Sequence, residues 1–124
     1  MDKKKILIVD DESGFTHLLK LTLEKAGEYM VLEENDGTRA REAARAFQPD
    51  LIFLDIVMPK IDGGDVASQI RNDPSLKNTR IVFLTAIVSK KEAGAGELIG
   101  GFPFLSKPVT LEDLIQCIEE NLPS

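Results

Sequence analysis

The chain has 124 residues, 43% of them apolar and 29% charged, with a formal net charge of −6. That is the length of one domain and the composition of an ordinary soluble one, and the acidic balance argues against direct nucleic-acid binding, which needs clustered Lys and Arg. Cys117 is the single cysteine, so no intramolecular disulfide can form; with no membrane-length apolar stretch and no signal-like segment, the expected location is cytoplasmic.

The basic run Lys3-Lys4-Lys5 reads as a solvated lead-in to a first apolar strand, Ile6-Leu7-Ile8-Val9, which stops at Asp10-Asp11. Ser13 is placed to cap a helix whose apolar face is Phe15, Leu18, Leu19, Leu23 and Ala26, with Gly27 after it as a left-handed terminator. Tyr29 to Glu33 reads as a short strand. Gly37-Thr38 opens a second helix with Ala40, Ala43, Ala44 and Phe47 on one face, ended before Pro49. Leu51 to Leu54 is a continuous apolar run, as expected of a strand buried on both faces, and it stops at Asp55.

A loop over Met58 to Gly64 leads into a third helix, from about Asp65 to Arg71, ended by Asp73-Pro74. Arg80 to Leu84 is the next buried strand and stops at Thr85. A fourth helix over Ser89 to Leu98 is weakened by Gly94 and Gly96, each costing about 1 kcal/mol relative to Ala in a helix interior. Phe102 to Ser106 is the fifth strand and stops at Lys107. Thr110, with Asp113 at the third helical position, approximates a capping box for a fifth helix whose core face is Leu111, Leu114, Ile115, Ile118 and Leu122; Cys117 falls off that face.

Five strands alternating with five helices imply right-handed crossovers and a doubly wound, five-stranded parallel sheet of the flavodoxin-like (βα)5 kind. The simplest strand order is 2-1-3-4-5. Pro103 agrees with a fifth strand at the sheet edge. In this order Asp10, Asp11 and Asp55 flank the switch point at the carboxyl edge, with Thr85 and Lys107 approaching from the other side. Three converging carboxylates raise one another's pKa unless a cation compensates, and a hard divalent ion such as Mg²⁺ is the natural partner. Lys107 and Thr85 are suited to phosphate oxygens, so the chemistry favoured is phosphoryl transfer, with Asp55 as nucleophile and an acyl phosphate as product. His17, the only histidine, is expected on the solvated side of the first helix.

The set Asp10-Asp11, Asp55, Thr85-Ala86 and Lys107-Pro108, with Met58-Pro59 and Asp62-Gly63 after the central Asp, resembles the receiver domain of bacterial two-component response regulators. The likeness runs from Lys5 to Leu122, and residues 1–124 are expected to be a single receiver domain. The resemblance implies that Asp55 accepts a phosphoryl group from a sensor histidine kinase or phosphotransfer protein. It implies Mg²⁺ held by Asp10, Asp11, Asp55 and the backbone carbonyl of Val57, Lys107 paired with the phosphoryl group, and Thr85 and Phe104 as switch residues. The read-out face would be the predicted fourth helix, fifth strand and fifth helix, acting on a downstream effector, with a homodimer left open. Such a protein catalyses its own phosphorylation and dephosphorylation and is otherwise not an enzyme.

Some positions depart from that pattern. Gly100-Gly101-Phe102-Pro103 makes the approach to the fifth strand unusually apolar, and Phe102 is expected to tuck under the fourth helix. Val57 and Ile87, two residues beyond Asp55 and Thr85, cannot hydrogen-bond a hydrolytic water, which predicts slow self-dephosphorylation. Two other readings are an aspartyl-phosphate hydrolase, disfavoured because Val57 stands where a second acid is needed, and a phosphorylation-independent interaction module.

Overall fold

The computed structural model describes residues 3–86 and 100–122. Five strands, β1 (Lys4–Val9), β2 (Tyr29–Glu34), β3 (Leu51–Asp55), β4 (Arg80–Thr85) and β5 (Phe104–Ser106), form one sheet in the order β2-β1-β3-β4-β5. Every pairing is parallel. Four helices are described: α1 (Ser13–Lys25), α2 (Ala40–Phe47), α3 (Gly63–Arg71) and α4 (Leu111–Asn121), the last being the predicted fifth helix. The helix expected over 89–98 and Ile87 lie outside the described residues.

The central strands are apolar without alternation over Ile6 to Val9, Leu51 to Leu54 and Ile81 to Leu84 because the sheet is covered on both faces. Alternate residues of β1 and β3 serve separate cores. Ile6, Ile8, Leu51 and Phe53 pack with Leu19 and Leu23 of α1 and with Leu114 and Ile118 of α4. Leu7, Val9, Ile52 and Leu54 pack with Ala40 and Ala44 of α2 and with Val66 and Ile70 of α3. The parallel ladder sets Ile8 beside Phe53 and Val9 beside Leu54, so the polar residues that follow emerge together.

Several local expectations need correction. Ser13 is the first residue of α1 rather than its cap; Glu12 holds the cap position without a side-chain cap bond. The buried stripe of α1 runs through Thr16, Leu19 and Leu23, so Leu18 is 62% exposed and Ala26 is exposed as well. At about 100° per residue Leu18 points away from that stripe; the polar Thr16 concealed its phase. On α4 the stripe is Leu114, Cys117 and Ile118, with Cys117 in the core and Leu111 exposed in the first turn. A buried thiol behaves as a small hydrophobe.

The second helical segment opens with a 3₁₀ turn, Gly37–Arg39, capped by Asp36. α3 starts earlier than expected, at Gly63, because the Asp62 carboxylate caps it through Gly64 N. β5 is shorter than expected, beginning at Phe104; Pro103 precedes it at the sheet edge, and its carbonyl accepts from Phe83 N at 2.9 Å. Gly27 has φ +91°, the left-handed terminator expected, and the capping box of Thr110 and Asp113 is present. Phe102 is partly buried edge-on against Phe83, with ring centroids 5.6 Å apart.

Candidate functional site

The site is built where the strands end. Asp10 follows β1, Asp55 closes β3, Thr85 closes β4, and Lys107 follows β5, with its N–H donating to Thr85 O at 2.8 Å. Asp10, Asp11 and Asp55 each offer a carboxylate oxygen, and these atoms lie within 4.8 Å of one another. The three acids predicted to converge do so. Asp10 and Asp55 are buried whereas Asp11 is exposed, so the cluster opens to solvent on the Asp11 side.

Lys107 reaches across to the same place. Its Nζ donates to Asp10 Oδ2 at 2.6 Å and lies 3.5 Å from Glu12 Oε1 and 3.9 Å from Asp55 Oδ1. The ammonium also sits 4.4 Å from the centroid of the Phe15 ring, a cation–π distance. Glu12 N donates to the other Asp10 oxygen, Oδ1, at 3.0 Å. Thr85 is buried at the end of β4, Val57 is exposed beside the pocket, and Phe104 is partly buried on the α2–α3 side of the sheet.

Electrostatics follow from this crowding. Burial, then the neighbouring charge of Asp10, pushes the Asp55 carboxyl up to about 6, although Lys107 and the Val57 N–H pull the other way. Burial works against the Lys107 charge, yet the hydrogen bond to Asp10 and the surrounding carboxylates outweigh it and raise its pKa. The Asp55 carboxylate is thus disfavoured by its surroundings, and a cation joining the cluster would relieve it.

Backbone packing behind Asp55 is equally constrained. A Cβ on Gly63 would sit 2.4 Å from the Asp55 carbonyl oxygen and 2.7 Å from Ile56 Cα. Gly63 N also donates to Ile56 O at 2.8 Å. Glycine is required here by close approach, which gives Asp62-Gly63 a physical reason: the start of α3 is pressed against the strand end that carries Asp55.

Sequence reasoning missed three contributors. Glu12 contacts Lys107, and Phe15, which packs against the core as expected, contacts it as well. Asn35, just after β2, donates to Asp10 O at 2.8 Å. Their separation in sequence from their partners leaves no local pattern to find them by. His17 is exposed as expected, with Nδ1 3.2 Å from Glu33 Oε2.

The donor set fits a hard, oxygen-seeking cation: three carboxylates, no sulfur or imidazole ligand among the cluster, and one open side. Among the described residues no helix is long and apolar enough to cross a membrane.

The family model for the response regulator receiver domain matches residues 6–119. Among curated proteins, the chain is 34% identical over 111 residues to the DNA-binding dual master transcriptional regulator RpaA of Synechocystis, covering 90% of this chain and 46% of that protein. It is 38% identical over 105 residues to the alkaline phosphatase synthesis transcriptional regulatory protein PhoP of Bacillus subtilis, covering 85% of this chain and 42% of that one. Protein PilG of Pseudomonas aeruginosa is 28% identical over 123 residues, with 99% of this chain and 90% of that protein covered. The chain thus spans less than half the length of two of these relatives and most of the third. Among solved structures, the chemotaxis protein CheY4 of Vibrio cholerae superposes with a TM-score of 0.83 at 30% identity, covering 97% of this chain and 99% of that one. With its 2-1-3-4-5 parallel sheet and its acidic cluster at the carboxyl edge, the chain belongs to the response regulator receiver domain family of two-component systems.

Proposed function

We propose that this receiver domain is a phosphoacceptor switch, with Asp55 as the acceptor and Mg²⁺ as the required cofactor. The observation that carries the reading is the convergence of the Asp10, Asp11 and Asp55 carboxylates within 4.8 Å, with Lys107 Nζ 3.9 Å from Asp55 Oδ1. A bound Mg²⁺ supplies charge neutralisation for the carboxylates and for the incoming phosphoryl oxygens. Asp11, exposed, and Asp55 would hold it, with the backbone carbonyl of Val57. Both Asp10 oxygens already accept hydrogen bonds, which favours a water-bridged role for that residue.

In the transfer step an Asp55 carboxylate oxygen attacks phosphorus, forming an O–P bond as the P–N bond of a phosphohistidine breaks. The imidazole nitrogen leaves with the bonding electron pair. Lys107 is positioned to meet the charge that arrives on Asp55, and Thr85, buried at the end of β4, is the hydroxyl suited to follow it. Phe104, first residue of β5, would respond to that movement and pass the change to the β5–α4 face for a downstream effector. The phosphodonor is a sensor histidine kinase or phosphotransfer protein. No metabolite is turned over, and residues 1–124 act as one receiver domain.

Incubation with acetyl phosphate and Mg²⁺, followed by intact-mass measurement, tests this. The expected result is a gain of one phosphoryl group that requires Mg²⁺ and is lost in Asp55→Ala. Continuous phosphate release without a stable adduct would instead indicate a hydrolase.

A further inference from the structure

A polar chain links β2 and α1 to the acidic site from behind. Glu33 Oε1 accepts from the buried Thr16 hydroxyl at 2.7 Å, and Thr16 Oγ1 accepts in turn from Asn35 Nδ2 at 2.9 Å. The same Asn35 nitrogen donates to the main-chain carbonyl of Asp10 at 2.8 Å. Burial acts to raise the Glu33 pKa, but hydrogen bonds from Thr16 and His17 overcome it and hold the carboxyl below its usual range. Glu33 therefore anchors the chain as a carboxylate near neutral pH.

What Asn35 grips decides the consequence. β1 ends at Val9, so the Asp10 carbonyl lies just past the ladder that orders the strand. That carbonyl and the Asp11 N–H belong to one rigid peptide plane. The plane joins the two acids of the β1–α1 turn, and its rotation re-aims Asp11, the exposed carboxylate of the cluster. Asp10 is fixed independently: its N–H donates to Glu34 O at 3.2 Å and its carboxylate is held by Glu12 N and Lys107. Asp11 depends on the orientation of the plane.

We propose that Asn35 is a positioning residue for the cation site: its carboxamide, oriented by Thr16 and Glu33, locks the Asp10–Asp11 peptide plane and so aims the Asp11 carboxylate. This rests on the divalent-cation reading above. Residues that orient ligands from outside the coordination sphere typically change metal affinity by about 10–100-fold when removed.

The test is calorimetric titration of the intact chain with Mg²⁺, comparing wild type, Asn35→Leu and Thr16→Val. Asn35 is exposed at the residue level and its bonds to Asp10 and Thr16 are only partly buried, so Asn35→Leu removes the donors without opening a core cavity. Asn35→Leu is expected to weaken Mg²⁺ binding by about tenfold. The Mg²⁺ concentration giving half-maximal phosphorylation by acetyl phosphate should rise by the same factor, far more than the maximal rate falls. Thr16→Val, which removes the hydroxyl that orients the carboxamide, should shift affinity in the same direction; it decides the matter should Asn35→Leu not fold. Unchanged Mg²⁺ affinity in the folded variants overturns the role of Asn35. Absence of Mg²⁺ binding in wild type overturns the cation reading itself, and the two failures are told apart by the wild-type titration alone.

Discussion

Replacing Asp55 by Asn should make the metal-free protein more stable, and the gain should depend on pH. Asp55 is 6% exposed, and its carboxyl is raised from an ordinary 3.8 to about 6 by burial and by the charge of Asp10. At about 1.4 kcal/mol per unit, the separation between folded and unfolded values corresponds to roughly 2–3 kcal/mol. The sign is set by proton counts. Between the two values the folded state keeps a proton that the unfolded chain has released, so stability falls as pH rises through the window; above about 6 the full penalty persists. Asn mimics the protonated form and escapes it. For a domain of this size each kcal/mol shifts Tm by about 3–5 °C. Thermal melts followed by circular dichroism in EDTA should place Asp55→Asn roughly 10 °C above wild type at neutral pH, with the gap closing towards about pH 4. Added Mg²⁺ should raise wild type and leave the variant nearly unmoved. A pH-independent offset, or no stabilisation, would refute the claim that Asp55 is strained by its surroundings.

Gly63→Ala should destabilise by about 1–3 kcal/mol, because the new methyl would lie 2.4 Å from the Asp55 carbonyl oxygen and main chain must move. Urea unfolding gives the stability, and acetyl phosphate labelling should slow because Asp55 is displaced. Cys117, buried and with its thiol pushed up to about 11 by burial and then by Glu120, should resist Ellman's reagent at neutral pH until the chain is unfolded. Rapid labelling of native protein would contradict its place in the core. Val57 is exposed beside the pocket, and Val57→Asn should shorten the lifetime of phosphorylated protein by giving a hydrolytic water a hydrogen-bond partner. A half-life unaltered by Val57→Asn combined with Ile87→Glu would remove the reason for expecting slow self-dephosphorylation.

The sheet was legible because its signal is repeated within each strand. Ile6 to Val9, Leu51 to Leu54 and Ile81 to Leu84 are apolar without alternation, as a doubly covered sheet requires, and a parallel ladder keeps their ends in step. Asp10 and Asp55 could therefore be placed together from the lengths of two apolar runs. Helix phases were less legible where a polar residue takes a core position. Thr16 is buried because its hydroxyl is satisfied by Glu33, and nothing nearby in sequence announces that bond. Cys117 displaced the expected face of α4 for a related reason: thiol burial depends on the neighbouring surface, not on a helical repeat of large apolar residues. Glu12 and Asn35 were invisible as site residues because each matters only through a partner supplied by another element.

The charge balance of the pocket bears on how the cluster can exist within a stable fold and still serve the proposed chemistry. Among the described residues, Lys107 is the one ammonium paired with this cluster, and it faces Asp10, Asp55 and Glu12 at once, so the three clustered carboxylates keep an excess of negative charge that a divalent cation would offset. Lys107 does not divide itself evenly: at 2.6 Å it belongs to Asp10, while Asp55 at 3.9 Å receives only the longer-range part of its field. Of the two buried carboxylates, the one that Lys107 compensates less is thus the one proposed to react. On that reading, phosphorylation replaces one charge on Asp55 by a group carrying more, projecting further toward Lys107, and the ammonium is drawn between two anionic partners. The Asp10–Lys107 pair links the end of β1, past β3 and β4, to the end of the edge strand β5 that carries Phe104; on the same reading, a weakening of that bond on phosphorylation would be felt first in that strand.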